Sequence, residues 1–181
     1  MKLIFLGPQG SGKSTQAKKL AQELNVPHLE MGQLLRDKMQ ESDEDAQKIR
    51  AALESGDLVE NEITIRTLNA KIAKPDFTNG FILDGYPRNE EQLQNLPEGI
   101  DKVIYINVPD SIAVGRLSKR AREDDTQEVI QKRLDIYHKE TEPLLENFRQ
   151  KGLLVEINGQ ASIEQVDTDI KKALNLTNVA N

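Results

Sequence analysis

The 181 residues match about one domain at ~150 residues each, and 37% hydrophobic with 30% charged residues is ordinary globular usage, neither disordered nor low-complexity. The absence of Cys excludes disulfides, a Cys-ligated zinc and a thiol nucleophile; only two His remain, and a net charge of −6 argues against a surface that coats nucleic acid. No apolar run approaches the ~18 residues that would span a bilayer, and the first dozen residues lack the pattern of a secretory signal, so a cytoplasmic protein without membrane contact is expected.

Strands and helices alternate. Residues 2–6 read as a short buried strand ending at Gly7, and from Lys13 the apolar positions Ala17, Leu20, Ala21 and Leu24 keep helical spacing. A weak strand over 26–30 precedes a short helix over 32–39. Asp43 is placed to cap a helix carrying Ala46, Ile49 and Leu53, stopped by Ser55 and Gly56; Asn61 is placed to cap another with Ile65, Leu68 and Ile72. Strands follow at 81–84 and 103–108, and Asp110 is expected to cap the helix bearing Arg116. Ile130, Leu134, Tyr137, Thr141, Leu144 and Phe148 suggest one long helix, bent by Pro143. A last strand over 153–157 leads to a helix with Ile163, Val166, Ile170 and Leu174 inward, and no internal repeat is present. Short apolar strands separated by amphipathic helices imply a parallel sheet covered on both faces, with ligands beyond the carboxyl ends of the strands.

The residues Gly7 to Ser14, GPQGSGKS, fit G-x-x-x-x-G-K-[ST] between a strand and a helix. Glycines let backbone N–H groups wrap a phosphate, the helix N-terminus adds a positive dipole end, Lys13 adds charge, and the Ser14 hydroxyl can reach Mg²⁺. The fold class expected is therefore α/β, a P-loop NTPase-type three-layer α/β/α domain over 1–181 with a five-stranded parallel sheet. This motif indicates a nucleoside triphosphate but not a reaction.

Three further patches bear on the reaction. Asp84 ends a strand and can hold water on Mg²⁺, while Arg88 in the next loop can clamp a second phosphate; the plain alternative is a turn cap and a surface arginine. Arg36 stands one turn into a helix after the second strand, where an isolated Arg is usually solvated. Of nine Arg, four (Arg116, Arg120, Arg122 and Arg133) fall close together around Glu123, Asp124 and Asp125. This is either a charge-mixed surface or a set of guanidiniums around a transferring phosphoryl group. A nucleoside monophosphate, with a second pKa of about 6, is already an oxyanion nucleophile near neutral pH. No general base is needed, and His28 and His138 are read as a hydrogen-bonded strand residue and a surface helix residue.

Together GPQGSGKST, MGQLLR, GDLVENE, DGYPRNEEQ, RLSKR and the EDD and KRL segments resemble the adenylate kinases of the nucleoside monophosphate kinase family, from Lys2 to about Leu174. The resemblance implies transfer from MgATP to AMP. It assigns the ATP phosphates to Gly10, Ser11, Gly12, Lys13, Ser14 and Thr15, the ATP adenine to Arg116 and the Gln160 backbone, and the AMP phosphate to Arg36 and Arg88. The AMP base falls to Gly56, Asp57, Leu58, Val59 and Gln92, with Met31 and Gly85 nearby. Lys13, Arg88, Arg120, Arg122 and Arg133 would be catalytic, Ser14 and Asp84 would serve Mg²⁺ through water, and no zinc is implied. Residues 31–73 would form a helical AMP-binding subregion and residues 119–126 a minimal lid.

The chain departs from the family pattern in places. Gln9 and Ser14 stand where Pro and Gly are usual. Met31 replaces Thr, which opens a UMP/CMP kinase as an alternative, whereas Gln92 favours adenine over the Asn usual in pyrimidine kinases. Relatives place a lid between the arginine pair and the next arginine; here only Ala121 separates Arg120 from Arg122. Water exclusion would then fall to helix movement or to a homo-oligomeric partner near 116–135. A nucleotide-sensing protein without transfer activity is the reading from outside the enzymes.

Overall fold

The computed structural model describes residues 1–120 and 126–176, with the side chain of Arg120 also outside the description. The elements are β1 (Lys2–Leu6), α1 (Lys13–Leu24), β2 (His28–Glu30), α2 (Met31–Lys38), α3 (Glu44–Ser55), α4 (Asn61–Ile72), β3 (Phe81–Asp84), α5 (Glu90–Gln94), β4 (Lys102–Asn107), α6 (Asp110–Arg120), α7 (Gln127–Ile136), α8 (Leu144–Gln150), β5 (Leu154–Asn158) and α9 (Ile163–Ala173). All pairings are parallel and the strand order is β2-β3-β1-β4-β5, with Phe5 in register with Asp84 on one side and Ile104 on the other. The fold class is therefore α/β, as expected.

Alternation along β1 explains the layers. Leu3 and Phe5 enter a core with Leu20 of α1 and Val166 and Ile170 of α9. Ile4 and Leu6 enter the opposite core with Leu35, Ile49, Leu68 and Phe148 of α2, α3, α4 and α8. Both faces of the strand are buried, so it reads as an unbroken apolar run. Each fully buried Leu, Ile or Phe contributes roughly 1.5–3 kcal/mol of burial free energy before the entropy of ordering is subtracted. Val108, Ala113 and Leu117 of the α6 region pack with Ile130 and Leu134 of α7 as a third cluster.

The order puts β1 in the centre, with the chain leaving to β2 on one side and crossing to β4 on the other. The crevice beyond its carboxyl end is where α/β sheets bind ligands. Asp43 caps α3 as expected, accepting from the Ala46 N–H at 2.8 Å, a contact of about 1 kcal/mol.

Two expected caps are corrected. The cap of α4 is Glu60, while Asn61 is its first helical residue with its amide turned toward α5. Asp110 is the first residue of α6 and pairs with His138, so the carboxylate is engaged away from its own helix end. The single bent helix is corrected too. A π-helical turn at Tyr137–Thr141 separates α7 from α8, and Pro143, which cannot donate to the preceding turn, stands just before α8.

Candidate active site

Between β1 and α1 the backbone turns through left-handed glycines: Gly10 has φ 83° and Gly12 φ 93°. At Gly10 two constraints act together, because a Cβ would strike the Ala113 carbonyl of α6. Only glycine satisfies both the dihedral and the approach. The loop closes on itself through Ser11 N–H to the Pro8 carbonyl at 3.1 Å, and Lys13 Nζ donates to the same carbonyl at 3.1 Å. Arg116 reaches across from α6 and donates to the Ser11 carbonyl at 3.0 Å and the Gly159 carbonyl at 2.8 Å. It thereby ties the loop to the segment between β5 and α9.

A cavity opens above this loop. Gly10 to Thr15 all line it, as do Asp84, Arg116, Leu117, Gly159, Ala161 and Ile163. Ile163 is 53% exposed, so the far wall is apolar and open. Gln160 is exposed and does not line the cavity, although both its neighbours do; its N–H is used by Asn158 Oδ1 at 3.0 Å.

A second cavity adjoins it, lined by Met31, Leu53, Gly56, Asp57, Leu58, Val59, Gln92, Arg133 and Thr141. Met31, Val59 and Gln92 are buried. The two cavities share Gln9, Lys13, Gly32, Arg36, Gly85 and Arg88. The cations Lys13, Arg36 and Arg88, far apart in sequence, are thus brought to one wall.

Each arginine is held before any ligand is considered. Arg36 donates to Glu30 Oε1 and Gln33 Oε1, both at 3.2 Å. Arg88 Nε donates to the Gly85 carbonyl at 2.9 Å; its N–H donates to Gln92 Oε1 at 2.9 Å and its carbonyl accepts from Thr141 Oγ1 at 2.7 Å. Arg133 donates to the Leu53 carbonyl at 3.0 Å. Burial lowers the Arg88 pKa from its ordinary value; Asp84 opposes the shift, and Arg133 and Arg36 add to it. That mutual repulsion marks a place where an anion would be stabilised. Arg122 and the side chain of Arg120 lie outside the described residues, as do residues 121–125 of the lid expected over 119–126.

Asp84 is 1% exposed and neither carboxylate oxygen has a hydrogen-bond partner. His28 Nε2 lies 3.6 Å from Oδ2. Burial raises the Asp84 pKa, but His28, Lys13 and Ser14 outweigh it, so the carboxyl stays below its usual range. An ionised, buried carboxylate with free oxygens beside Ser14 has the donor chemistry for a hydrated Mg²⁺. Among the described residues there is no cluster of His, Cys, Asp and Glu that would ligate a metal by itself, and no helix long and apolar enough to cross a membrane.

Sequence reasoning did not single out Glu30, Asn61, Asn89 or Thr141 for the site. Glu30 was visible only as the residue preceding MGQLLR. The other three act through contacts between elements distant in the chain, which no local spacing signals.

Comparison with known proteins identifies the family. The family model described as adenylate kinase matches residues 5–153. Adenylate kinase 1 of Nostoc sp. is 38% identical over 180 residues, covering 96% of this chain and 98% of that protein. The adenylate kinase of Nocardia farcinica is 36% identical over 181 residues, 96% of this chain and 99% of its own. That of Caldicellulosiruptor bescii is 34% identical over 214 positions, covering 97% of this chain and all of that protein, so it carries residues with no counterpart here. Matches of this identity across nearly the whole chain place the protein in the adenylate kinase family, and thus among the nucleoside monophosphate kinases.

Proposed function

We propose that the protein transfers a phosphoryl group reversibly between MgATP and AMP, giving two ADP. The observation that carries this reading is the shared wall of Lys13, Arg36 and Arg88. A triphosphate above the glycine loop and a monophosphate in the second cavity would meet at the same three cations.

In the forward step an oxygen of the AMP phosphate attacks the γ-phosphorus, and the bond to the β–γ bridging oxygen breaks to leave ADP. The acceptor is already ionised, so positioning and charge neutralisation supply the catalysis. Backbone N–H groups of Gly10 to Thr15 hold the donor phosphates, with Lys13 alongside. Arg36 and Arg88 hold the acceptor phosphate. Arg133 lines the acceptor cavity and, with Arg120 and Arg122 as the resemblance implies, would stabilise the charge that develops in transfer, while Arg116 with the segment around Gln160 borders the donor base. Ser14 and Asp84 would hold a hydrated Mg²⁺, which neutralises phosphate charge when bound with ATP. Residues 31–73 supply the AMP cavity, where Gly56, Asp57, Leu58 and Val59 meet the base and Gln92 reads its edge. Residues 119–126 would serve as a minimal lid, with further cover from helix movement or from a second copy of the chain near 116–135. The setting in this reading is cytoplasmic.

An assay of ADP formation from ATP with AMP, CMP, UMP or GMP tests the proposal. AMP should be preferred by orders of magnitude. A preference for CMP or UMP, with the apolar Met31 in the base cavity, overturns the adenine assignment. ATP binding without ADP formation from any of the four overturns the transfer itself.

A further inference from the structure

Gln92 stands in a chain of amides whose polarity is fixed at its ends. A backbone N–H can only donate and a carboxylate only accepts. Gln92 N–H donates to Asn89 Oδ1 at 3.0 Å, so Asn89 must offer its Nδ2 onward, and it does, to Asn61 Oδ1 at 2.9 Å. At the other end Glu91 Oε2 accepts from Asn61 Nδ2 at 2.7 Å. Both constraints set the Asn61 oxygen toward Gln92, whose Nε2 donates to it at 3.0 Å. The Arg88 N–H then requires the Gln92 oxygen, at 2.9 Å.

From this we infer that Asn61 is a positioning residue that fixes which way round the Gln92 amide stands, making the acceptor cavity select a 6-amino purine over a 6-oxo purine. The inference rests on the reading above that Gln92 faces the acceptor base. A glutamine amide carries two N–H donors and two oxygen lone pairs; here one of each is committed within the protein. One donor and one acceptor are left for the cavity, which Gln92 lines while itself only 2% exposed.

Adenine presents an acceptor at N1 beside a donor at its 6-amino group. Hypoxanthine presents a donor at N1 beside an acceptor at O6. A rotated amide would suit hypoxanthine, but it would set Nε2 against the Arg88 N–H and Oε1 against Asn61 Oδ1. Two like-with-like contacts in a buried place oppose that rotation. Sites that hydrogen-bond a substrate in fixed polarity reject the mismatched analogue strongly.

The test compares kcat/KM for AMP and IMP in the wild type, in Asn61→Leu and in Asn61→Asp. Leucine removes one of the two contacts that oppose rotation, so the AMP-over-IMP ratio should fall about tenfold. Aspartate keeps an oxygen facing Gln92 and should hold the ratio near wild type, even if the loss of the Glu91 contact lowers stability. A ratio unchanged in Asn61→Leu, or lowered as far by Asn61→Asp as by Asn61→Leu, overturns the assignment to Asn61. A wild type with no preference for AMP overturns the adenine reading itself, and this inference with it.

Discussion

At the glycine loop, Gly10 lies so near α6 that a Cβ would strike the Ala113 carbonyl, and at Gly159 a Cβ would press on Ile106 and Val108. In the neighbouring cavity the corresponding work is done by side chains: Gln92 and Thr141 hold the backbone of Arg88, Glu30 holds Arg36, and Lys132 pairs with Asp57 at 2.7 Å. The first cavity is shaped by glycines set close against the Ala113 backbone and the Ile106 and Val108 side chains, which leaves few residues that can be exchanged without distortion. The second is shaped by polar contacts made by the side chains of Glu30, Gln92, Thr141 and Lys132, each replaceable singly. The first arrangement suits a phosphate chain common to many nucleotides, and the second suits choice of an acceptor. The shared wall of Lys13, Arg36 and Arg88 is where the two designs meet.

The largest effect expected is at that wall. Arg88→Ala should reduce turnover about 10²- to 10³-fold, the range for loss of one pre-set charge-stabilising donor. Because the loop above is held by its own backbone with Lys13 and Arg116, and not by Arg88, ATP binding measured by calorimetry should persist. Loss of ATP binding in the same variant would show that the backbone cavity is not independent of its neighbour.

Gly10→Ala probes the other side. Alanine at φ 83° is strained and its Cβ meets a carbonyl that belongs to α6. A destabilisation of about 2–4 kcal/mol is expected, read from denaturant unfolding, with ATP affinity falling more than AMP affinity. Equal losses of both would erase the distinction between the cavities.

These two sites also differ in how far the sequence disclosed them. The loop was legible because a contiguous motif encodes it: the glycine spacing, the preceding apolar strand and the following helical period all point the same way. The sheet was legible for the same reason, since β1, β3 and β4 are each a single buried run. The acceptor cavity was legible only where resemblance named Arg36, Arg88 and Gln92. Asn61 looked like a helix cap, a role its residue type favours locally, and tertiary contact with Gln92 and Asn89 prevailed. Thr141 was placed on one helical stripe with Ile130 and Phe148. That stripe is buried as expected, Thr141 included; what spacing along one segment does not signal is the partner of its hydroxyl, the Arg88 carbonyl of a distant loop.

Thr141→Val is the next smaller perturbation, an isosteric change that removes only the hydroxyl. The loss of one neutral hydrogen bond, about 1 kcal/mol, should raise KM for AMP about fivefold with little change in KM for ATP, and Thr141→Ser should restore it. Equal changes for the two substrates would mean that Thr141 supports the fold generally and not the acceptor cavity.

The smallest effect tests a connection between the two sides. His138, in the π-helical turn, holds Asp110 at the start of α6 through Nε2 at 3.0 Å and Glu142 through Nδ1 at 2.7 Å. Its ring packs against Tyr137 in a T-shaped contact, the centroids 5.3 Å apart. The hydrogen bond to Glu142 raises its pKa above the ordinary 6.5, burial pulls against it, and Asp110 adds to the rise. A group with a raised folded pKa stabilises fully below its unfolded value, and that contribution is lost as pH climbs through the folded value. The side chain is 42% exposed, so solvent screening keeps the contribution below about 1 kcal/mol. The melting temperature of the wild type should therefore exceed that of His138→Gln below the ordinary pKa of about 6.5, and the gap should shrink as pH rises above it. A gap that widens with pH would contradict the direction of the shift. If the gap closes while both substrate constants stay level, the bridge from α6 to the π-helical turn holds the two cavities together without transmitting anything between them.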